Sequence, residues 1–217
     1  KKQIKKKTGK DLQEGIRELE PLKHEGLLDD NYKPTPAGKK KITKEFVANQ
    51  LEKWYYGNKS VNAHAKWKKK FSLYPVLFVY ELLVALDDQR ITKQEFDLFV
   101  VFAKSHTDLK KIKEIIMKFR KLGSREQELI HDNHHSMKEH DSRFWRERGE
   151  DVEWADLEWN TSAIKIKKGH LTKIKKKIKK LKTLPKENDG NGNYTDRKKY
   201  LSFLQSKDDI TVYKPVS

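Results

Sequence analysis

The chain has 217 residues, a length that allows one large domain or two small ones. It contains no cysteine, which excludes disulfides and thiolate metal sites and favours a reducing, cytoplasmic location. No apolar run approaches the roughly 20 residues that a membrane-spanning helix needs, so the sequence predicts no membrane partner of that kind.

The charge of the chain is strongly positive. Lys and Arg number 49 against 32 Asp and Glu, a formal net charge of +17. Hydrophobic residues make up only 35%, below the usual value of about 45–50%, yet apolar blocks such as "YPVLFVYELLVAL" favour a folded protein with basic faces. A large positive charge indicates a polyanionic partner, because each neutralised phosphate releases condensed counterions. An anionic membrane surface and a generally lysine-rich protein are the alternatives.

Residues 1–10 form a basic arm, and residues 11–72 are predicted to form a first winged-helix-like unit. Gly26 is expected to end a helix, and "LLDDNYKPT" is expected to form two short strands joined by a turn. Thr35-Pro36 is a typical helix start. That helix is expected to place on one side Ile42, Phe46, Val47, Leu51 and Trp54.

This first unit favours a hairpin wing beside a helix that enters a DNA groove. Its candidate DNA contacts are Lys23, His24, Asn31, Lys33, Lys39 and Lys40. The acidic pair Asp29-Asp30 argues against deep phosphate contact at the tip of the wing. A structural hairpin between helices, in a fold that binds protein, is the alternative.

Residues 73–123 are predicted to form a second helix-turn-helix unit. Pro75 begins an apolar helix through Leu86, and "DDQR" is expected to be a turn. Thr92 and Glu95 form a capping box at the start of a helix through about Lys104. A third helix, 108–122, is expected to turn inward Ile112, Ile115, Ile116 and Phe119. The candidate DNA contacts of this unit are Lys104, Ser105, His106, Lys110, Lys111 and Lys113.

Residues 124–184 are predicted to be a charged helical region, which begins at a Ser124–Gln127 capping-box pattern. Residues 163–182 contain many lysines and no acidic residue, with apolar residues at steps of three and four, so we expect a basic amphipathic helix. Its candidate phosphate contacts are Lys173, Lys176, Lys177 and Lys180. A solvated face and an anionic membrane are the alternatives. A linker at 185–193 and the start of a further helix-strand unit at 194–217 follow.

The search for catalytic motifs is negative. No Glu is followed two residues later by Lys, as a metal-dependent nuclease motif would require, and the chain has no phosphate-binding glycine loop. His131 and His135 have the spacing of metal-binding helices, but the polar sequence around them favours an exposed charged helix. We therefore expect no catalytic residue, metal or cofactor in this chain.

Several segments resemble the DNA-recognition region of the AlwI-like type IIS restriction and nicking endonucleases. The resemblance covers about residues 17–122 and rests on largely structural motifs. The matching residues are Gly26-Leu27, Thr35, Ala37-Gly38-Lys39, Lys53-Trp54, Pro75 to Val79, and "EIIMKFR" at 114–120. Residues after 122 match less well.

This resemblance implies a multidomain enzyme that binds a short asymmetric site in double-stranded DNA. The family cuts with a separate C-terminal nuclease domain that requires Mg²⁺. Since the chain lacks a nuclease motif, we expect a recognition fragment whose cleavage domain lies beyond Ser217 or is deleted. The resemblance implies that dimerisation would occur only through that domain.

The predicted fold is mainly α, with winged helix-turn-helix units that carry short β-hairpin wings and are joined by charged helices. The predicted function is sequence-specific recognition of double-stranded DNA. The alternatives are a stand-alone winged-helix regulator or architectural protein, which usually binds a symmetric site as a dimer, and an RNA-binding protein. Exposed Trp and Tyr side chains would favour RNA, because unpaired bases stack on aromatic rings.

Overall fold

The computed structural model of the protein describes residues 19, 22–23, 25–55, 73–135, 149–183 and 202. This part of the chain is mainly helical and contains one small three-stranded antiparallel sheet, as the sequence predicts at the level of fold class. The predicted basic arm at 1–10, the linker at 185–193 and all but one residue of 194–217 lie outside the described residues.

Six α-helices lie wholly within the described residues. They are α1 (Lys44–Lys53), α2 (Pro75–Ala85), α3 (Lys93–Leu98), α4 (Leu109–Phe119), α5 (Ser124–His135) and α6 (Leu171–Leu181). The strands are β1 (Arg90–Thr92), between α2 and α3, and β2 (Leu157–Trp159) and β3 (Ala163–Ile166), between α5 and α6. Two 3₁₀ turns, Val100–Phe102 and His106–Asp108, connect α3 to α4.

Helix α2 forms the centre of the core. Pro75 occupies its first turn, where a missing N–H costs nothing, and most of its side chains are buried. Helices α1, α4 and α6 all pack against it. The prediction of this helix is confirmed.

The predicted apolar face of α6 is also confirmed: Ile174 and Leu181 are fully buried on it, and Leu171 and Ile178 are partly buried. Each buried side chain of this size contributes about 1.5–3 kcal/mol.

The sheet has the strand order β1-β3-β2, and both pairings are antiparallel. Ile91 of β1 lies opposite Ile164 of β3.

The prediction of one helix over 163–182 is wrong in its first part, because residues 163–166 form β3. Ile164 and Ile166 are buried while Lys165 between them is exposed, which is the two-residue period of a strand. Gly169 then adopts a positive φ of 79°, and the helix begins only at Leu171.

The hairpin around residues 28–34 is smaller than predicted. A single antiparallel bridge joins Leu28 to Pro34, and no strand forms. The Asp29 carboxylate accepts hydrogen bonds of 2.8 Å from the backbone N–H groups of Asn31 and Lys33. Tyr32 between them has a positive φ of 58°. Backbone bonds also cross the hairpin, from the Asp29 N–H to the Lys33 carbonyl at 2.9 Å and from the Thr35 N–H to the Leu27 carbonyl at 3.0 Å. The side-chain bonds to the turn therefore supplement a short backbone ladder.

The predicted helix start at Thr35 is also wrong. The Thr35 hydroxyl is buried; it donates to the Gly26 carbonyl at 2.6 Å and accepts from the Gly38 N–H at 3.1 Å. A Cβ on Gly38 would lie 1.9 Å from the Leu27 carbonyl oxygen, so only glycine fits there. These contacts hold residues 35–40 against the hairpin as a turn. Helix α1 instead begins after Thr43, whose side chain accepts from the Phe46 N–H.

Three further features differ from the prediction: one exposed residue, one helix end and one strand. Ile42 precedes α1 and is 54% exposed rather than inward. Helix α3 ends at Leu98, well before Lys104, although its capping box between Thr92 and Glu95 is confirmed. No strand was predicted at Arg90–Thr92, where β1 forms; of these residues only Arg90 belongs to the predicted turn.

Helix α4 agrees with the prediction apart from Ile115, which is only half-buried; Ile112, Ile116 and Phe119 are buried. The predicted capping box at Ser124 is wrong, because Ser124 is already within α5. The Gln127 side-chain amide instead donates to the carbonyls of Phe119 and Leu122, and so binds the end of α4 to α5.

Arg120 joins α4 to the rest of this unit. Its guanidinium donates to both carboxylate oxygens of Glu95, at 2.6 and 2.9 Å, and to Asp88 at 2.8 Å. It also donates to the Arg90 carbonyl at 2.6 Å. The hydrogen bonds to Glu95 are the main cause of a raised Arg120 pKa. One side chain thus fixes α4, β1 and the capping box of α3 relative to one another.

Replacing Arg120 with alanine should lower the free energy of unfolding by about 3 kcal/mol, because Glu95 would remain buried without its partner. Urea unfolding followed by circular dichroism measures this loss. The control is Arg125→Ala, which removes the same charge from an exposed position of α5 and should change stability by less than about 0.5 kcal/mol. Equal unfolding midpoints for the two variants would contradict the assigned role.

Candidate nucleic-acid interface

The second predicted unit, residues 73–123, presents a basic surface on the outer face of α4. Ile112, Ile116 and Phe119 bury one side of this helix, so the 3.6-residue period turns the polar residues outward. The exposed residues of α4 are Lys110, Lys111, Glu114 and Lys118, and Lys121 lies exposed just after its end. Lys113 is half-buried at the edge of this face. Two of the predicted contacts, Lys110 and Lys111, therefore lie together on one accessible surface.

Lys104, Ser105 and His106 precede α4 and have different surroundings. Lys104 is exposed. Ser105 caps the 3₁₀ turn by accepting from the Thr107 N–H at 3.0 Å. His106 accepts from the Tyr74 N–H through Nε2 at 3.1 Å, so its proton is on Nδ1, which lies 2.6 Å from a Glu81 carboxylate oxygen. Ser105 and His106 thus hold the turn before α4 in place.

Glu81 connects the start of α4 to the end of α6. The Lys182 ammonium lies 2.7 Å from the Glu81 oxygen that His106 does not use. Burial raises the pKa of Glu81, but the hydrogen bonds from His106 and Lys182 outweigh it and lower the pKa overall. Because both partners meet one carboxylate, the C-terminal end of the lysine-rich helix α6 lies beside the turn that leads into α4.

Helix α6 presents exposed lysines on the side away from α2. Of the predicted contacts, Lys173, Lys176 and Lys180 are exposed, as are Lys175 and Lys179. Lys177 is different: its ammonium lies 2.7 Å from a Glu52 oxygen and 3.5 Å from Asp156. Lys177 therefore neutralises buried carboxylates and does not belong to the exposed lysine face.

The cluster beneath α6 is centred on Glu52, whose side chain is 1% exposed. The same Glu52 oxygen that contacts Lys177 accepts from the Tyr80 hydroxyl at 2.5 Å. Burial raises the pKa of Glu52 despite the opposing charge of Lys177. Burial and then the charge of Glu52 raise the pKa of Tyr80. Asp156 also contacts His170 at 2.8 Å, so this polar cluster joins α1, α2 and α6 to the segment before β2.

The third group of predicted contacts lies in and around the hairpin at residues 28–34. Asn31, Lys33, Lys39 and Lys40 are exposed. Lys23 forms an ion pair with Asp30 at 3.2 Å, and His24 lies outside the described residues. The Gln50 side chain donates to the Glu25 carbonyl at 2.9 Å, which attaches the hairpin segment to α1.

No known protein family matches this chain, and no curated protein is significantly similar to it. The resemblance to type IIS endonucleases therefore stays a prediction. None of the described helices is both long and apolar enough to cross a membrane. Within the described ranges, no cluster of three or more His, Cys, Asp or Glu side chains is arranged to hold a metal ion. His131 lies instead near Asp97 and Asp132, at 4.0 and 3.6 Å.

The sequence pattern did not identify Glu52, Glu81 or the special position of Lys177. All three are ordinary members of charged or amphipathic helices in the sequence, and their partners lie far along the chain. Lys177 and Glu52 are separated by 125 positions. An acidic residue at a buried position of a helix, as at Glu52 between Leu51 and Trp54, was the one available signal.

Replacing Lys177 with methionine should destabilise the protein by about 3 kcal/mol at pH 7, because Glu52 would be left buried without its positively charged partner. A buried carboxyl with a raised pKa is favourable to folding only below its unfolded pKa, near 4.5, and becomes costly as the pH rises through its folded pKa. The penalty should therefore shrink as the pH falls towards 5. Urea unfolding from pH 5 to pH 8 measures it.

Lys176→Met is the matched control, since it removes an equal charge from the exposed face of the same helix. It should cost less than about 0.5 kcal/mol at every pH. A penalty for Lys177→Met that is the same as the control's, or that does not vary with pH, would show that Lys177 does not serve Glu52.

Proposed function

We propose that the protein binds double-stranded DNA through a winged helix formed by α2, β1, α3, α4, β2 and β3. The order of these elements carries the proposal. A winged helix runs helix, strand, helix, recognition helix and then a two-stranded hairpin, and its first strand pairs with the last strand. The chain has this order, with α5 inserted after the recognition helix, and its sheet order β1-β3-β2 gives the required pairing.

In this proposal α4 is the recognition helix. The major groove of B-DNA is wide enough to admit an α-helix, and lysines on such a helix contact the phosphates that border the groove. The exposed Lys110, Lys111 and Lys118 are suited to this role. The long 3₁₀-containing connection from α3, fixed by His106 and Glu81, is the turn of the helix-turn-helix.

The wing in this proposal is the β2–β3 hairpin rather than residues 28–34. Its turn is formed by Asn160, Thr161 and Ser162, which are exposed. The Asn160 side-chain oxygen accepts from the N–H groups of Ser162 and Ala163, at 3.0 and 3.1 Å, and fixes the turn. The Lys93 N–H also donates to the Ser162 carbonyl, which attaches this tip to the start of α3.

The burial of aromatic side chains favours a duplex over a single strand as the ligand. Proteins that bind single-stranded DNA or RNA stack bases on exposed aromatic rings. Trp and Tyr side chains that the structure describes lie mostly in the core: those of Trp54, Trp154, Trp159, Tyr55, Tyr74 and Tyr80 are all 9% exposed or less. The rings of Trp154 and Trp159 stack on each other in the core, with 5.4 Å between their centroids.

We further propose that this duplex-binding unit is the recognition region of a type IIS restriction or nicking endonuclease. Three of the segments that resemble that family coincide with the end of α1, the start of α2 and the second half of α4, which are elements of the proposed winged helix or its support. The proposal predicts that the chain binds an asymmetric site as a monomer, without Mg²⁺. Sedimentation with a selected duplex in EDTA tests it, and a dimer on a symmetric site would favour a stand-alone regulator.

The placement of the interface is tested by two triple variants that each remove three lysines. Lys110, Lys111 and Lys118 replaced by alanine should lower duplex affinity on the order of 100-fold near 0.1 M salt, and the slope of log K against log salt should fall by about 3. Fluorescence anisotropy with a labelled duplex measures both quantities.

The matched control is the alanine triple at Lys33, Lys39 and Lys40, which removes the same charge from the hairpin. The hairpin triple should weaken binding and reduce the salt slope less than the α4 triple does. The sequence alone favoured the hairpin residues. Circular dichroism should show that both variants are folded. A larger loss in the hairpin triple would place the interface there, and a flat salt dependence of the wild-type protein would refute DNA binding.

A further inference from the structure

Glu114 interrupts the basic surface of α4. It is the single acidic residue in the sequence of this helix, "LKKIKEIIMKF", and its side chain is exposed. Lys110 and Lys111 lie one turn before it, and Lys118 lies one turn after it. In the described part of the protein, Glu114 forms no ion pair with any of these lysines, although the spacing would allow one.

The fold does not explain the carboxylate. Glu114 lies opposite the buried side of α4 and contributes nothing to the core. An exposed ion pair with a lysine four residues away would stabilise an isolated helix by only about 0.3–0.5 kcal/mol. On a surface that meets phosphates, a carboxylate lowers affinity by repulsion unless it finds a hydrogen-bond donor on the DNA.

The donors available in the major groove are the amino groups of cytosine and adenine. Glutamate is a typical acceptor for the cytosine N4 amino group, whereas guanine and thymine present oxygen acceptors at the corresponding edge and would repel it. A carboxylate in the groove therefore both favours one base and disfavours others. This is the chemistry of sequence readout, which lysines bound to phosphates do not supply.

The position of Glu114 on α4 suits such a contact. Helix α4 has 11 residues and is about 16 Å long, and Glu114 lies at its centre, between the lysines that would bind phosphates. Both ends of the helix are fixed: Asp108 and Ser105 form a capping box before it, and Arg120 is held by Glu95 after it. A rigid helix keeps a single side chain at one base pair.

We propose that Glu114 is a specificity-determining residue that accepts a hydrogen bond from a cytosine amino group at one position of the DNA site. The proposal rests on the proposed function, because it requires α4 to lie in the major groove. It assigns to this helix the reading of at least one C·G pair, in addition to the phosphate contacts of its lysines.

Selection from a library of randomised 20-base-pair duplexes, followed by sequencing, tests the proposal. The wild-type protein should select cytosine at a defined position. Glu114→Ala should reduce the discrimination at that position by about 10-fold or more while the preferences at other positions and the salt slope persist. Glu128→Ala, which removes an equal charge from the exposed surface of α5, should keep every preference.

Three results would overturn the inference, and they are distinguishable from one another. If Glu114→Ala binds all duplexes more tightly and keeps its preferences, Glu114 acts only by repulsion. If the wild-type protein binds duplexes without any preference, no base is read, although the proposed duplex binding stands. If the wild-type protein does not bind duplex DNA, the proposed function itself fails.

Discussion

The hydrogen bonds of the Arg120 guanidinium join α4 to β1 and to the start of α3, and so add a polar connection to the packing of α4 against α2. Glu95, which receives two of them, also caps α3 by accepting from the Thr92 N–H at 2.9 Å, so one carboxylate serves a helix start and an ion pair. Asp88 and the Arg90 carbonyl fix the turn before β1 and its first residue to the same side chain. Arg120 and the packing of α4 against α2 together set the orientation of α4, and with it the direction in which the lysines of α4 point.

Three other carboxylates determine which lysines remain available. Glu52 and Asp156 bind Lys177 under α6, and Glu81 binds Lys182 at the end of that helix. Lysines of identical appearance in the sequence thereby take different roles. Those with acidic partners attach α6 to α1 and α2, while those without such partners form exposed basic faces. The exposed lysines can attract phosphate even though other lysines are paired with carboxylates. The proposed winged helix uses only the lysines that α4 exposes.

Much of the local structure could be predicted because its causes are local. Pro75, the Thr92–Glu95 capping box and the apolar period of α4 each act within a few residues. The sheet could not be predicted in the same way, since β1 is three residues long and pairs with a strand about 70 positions later. That pairing moves the proposed wing from residues 28–34 to the β2–β3 hairpin. Lys110 and Lys111 of α4 lay within the predicted set, but Lys118 did not. The structural roles of His106 and Lys177 depend on Glu81, Glu52 and Asp156, whose positions only the fold defines.

The central claim is that the exposed face of α4 is the surface that meets duplex DNA. Lysine acetylation, quantified by mass spectrometry with and without a selected duplex, tests it most directly. We predict that DNA protects Lys110, Lys111 and Lys118, that Lys177 is poorly reactive in both states because of its buried partners, and that Lys33 and Lys39 change little. Protection confined to the hairpin lysines, or no protection of α4 at saturating duplex, would contradict the account.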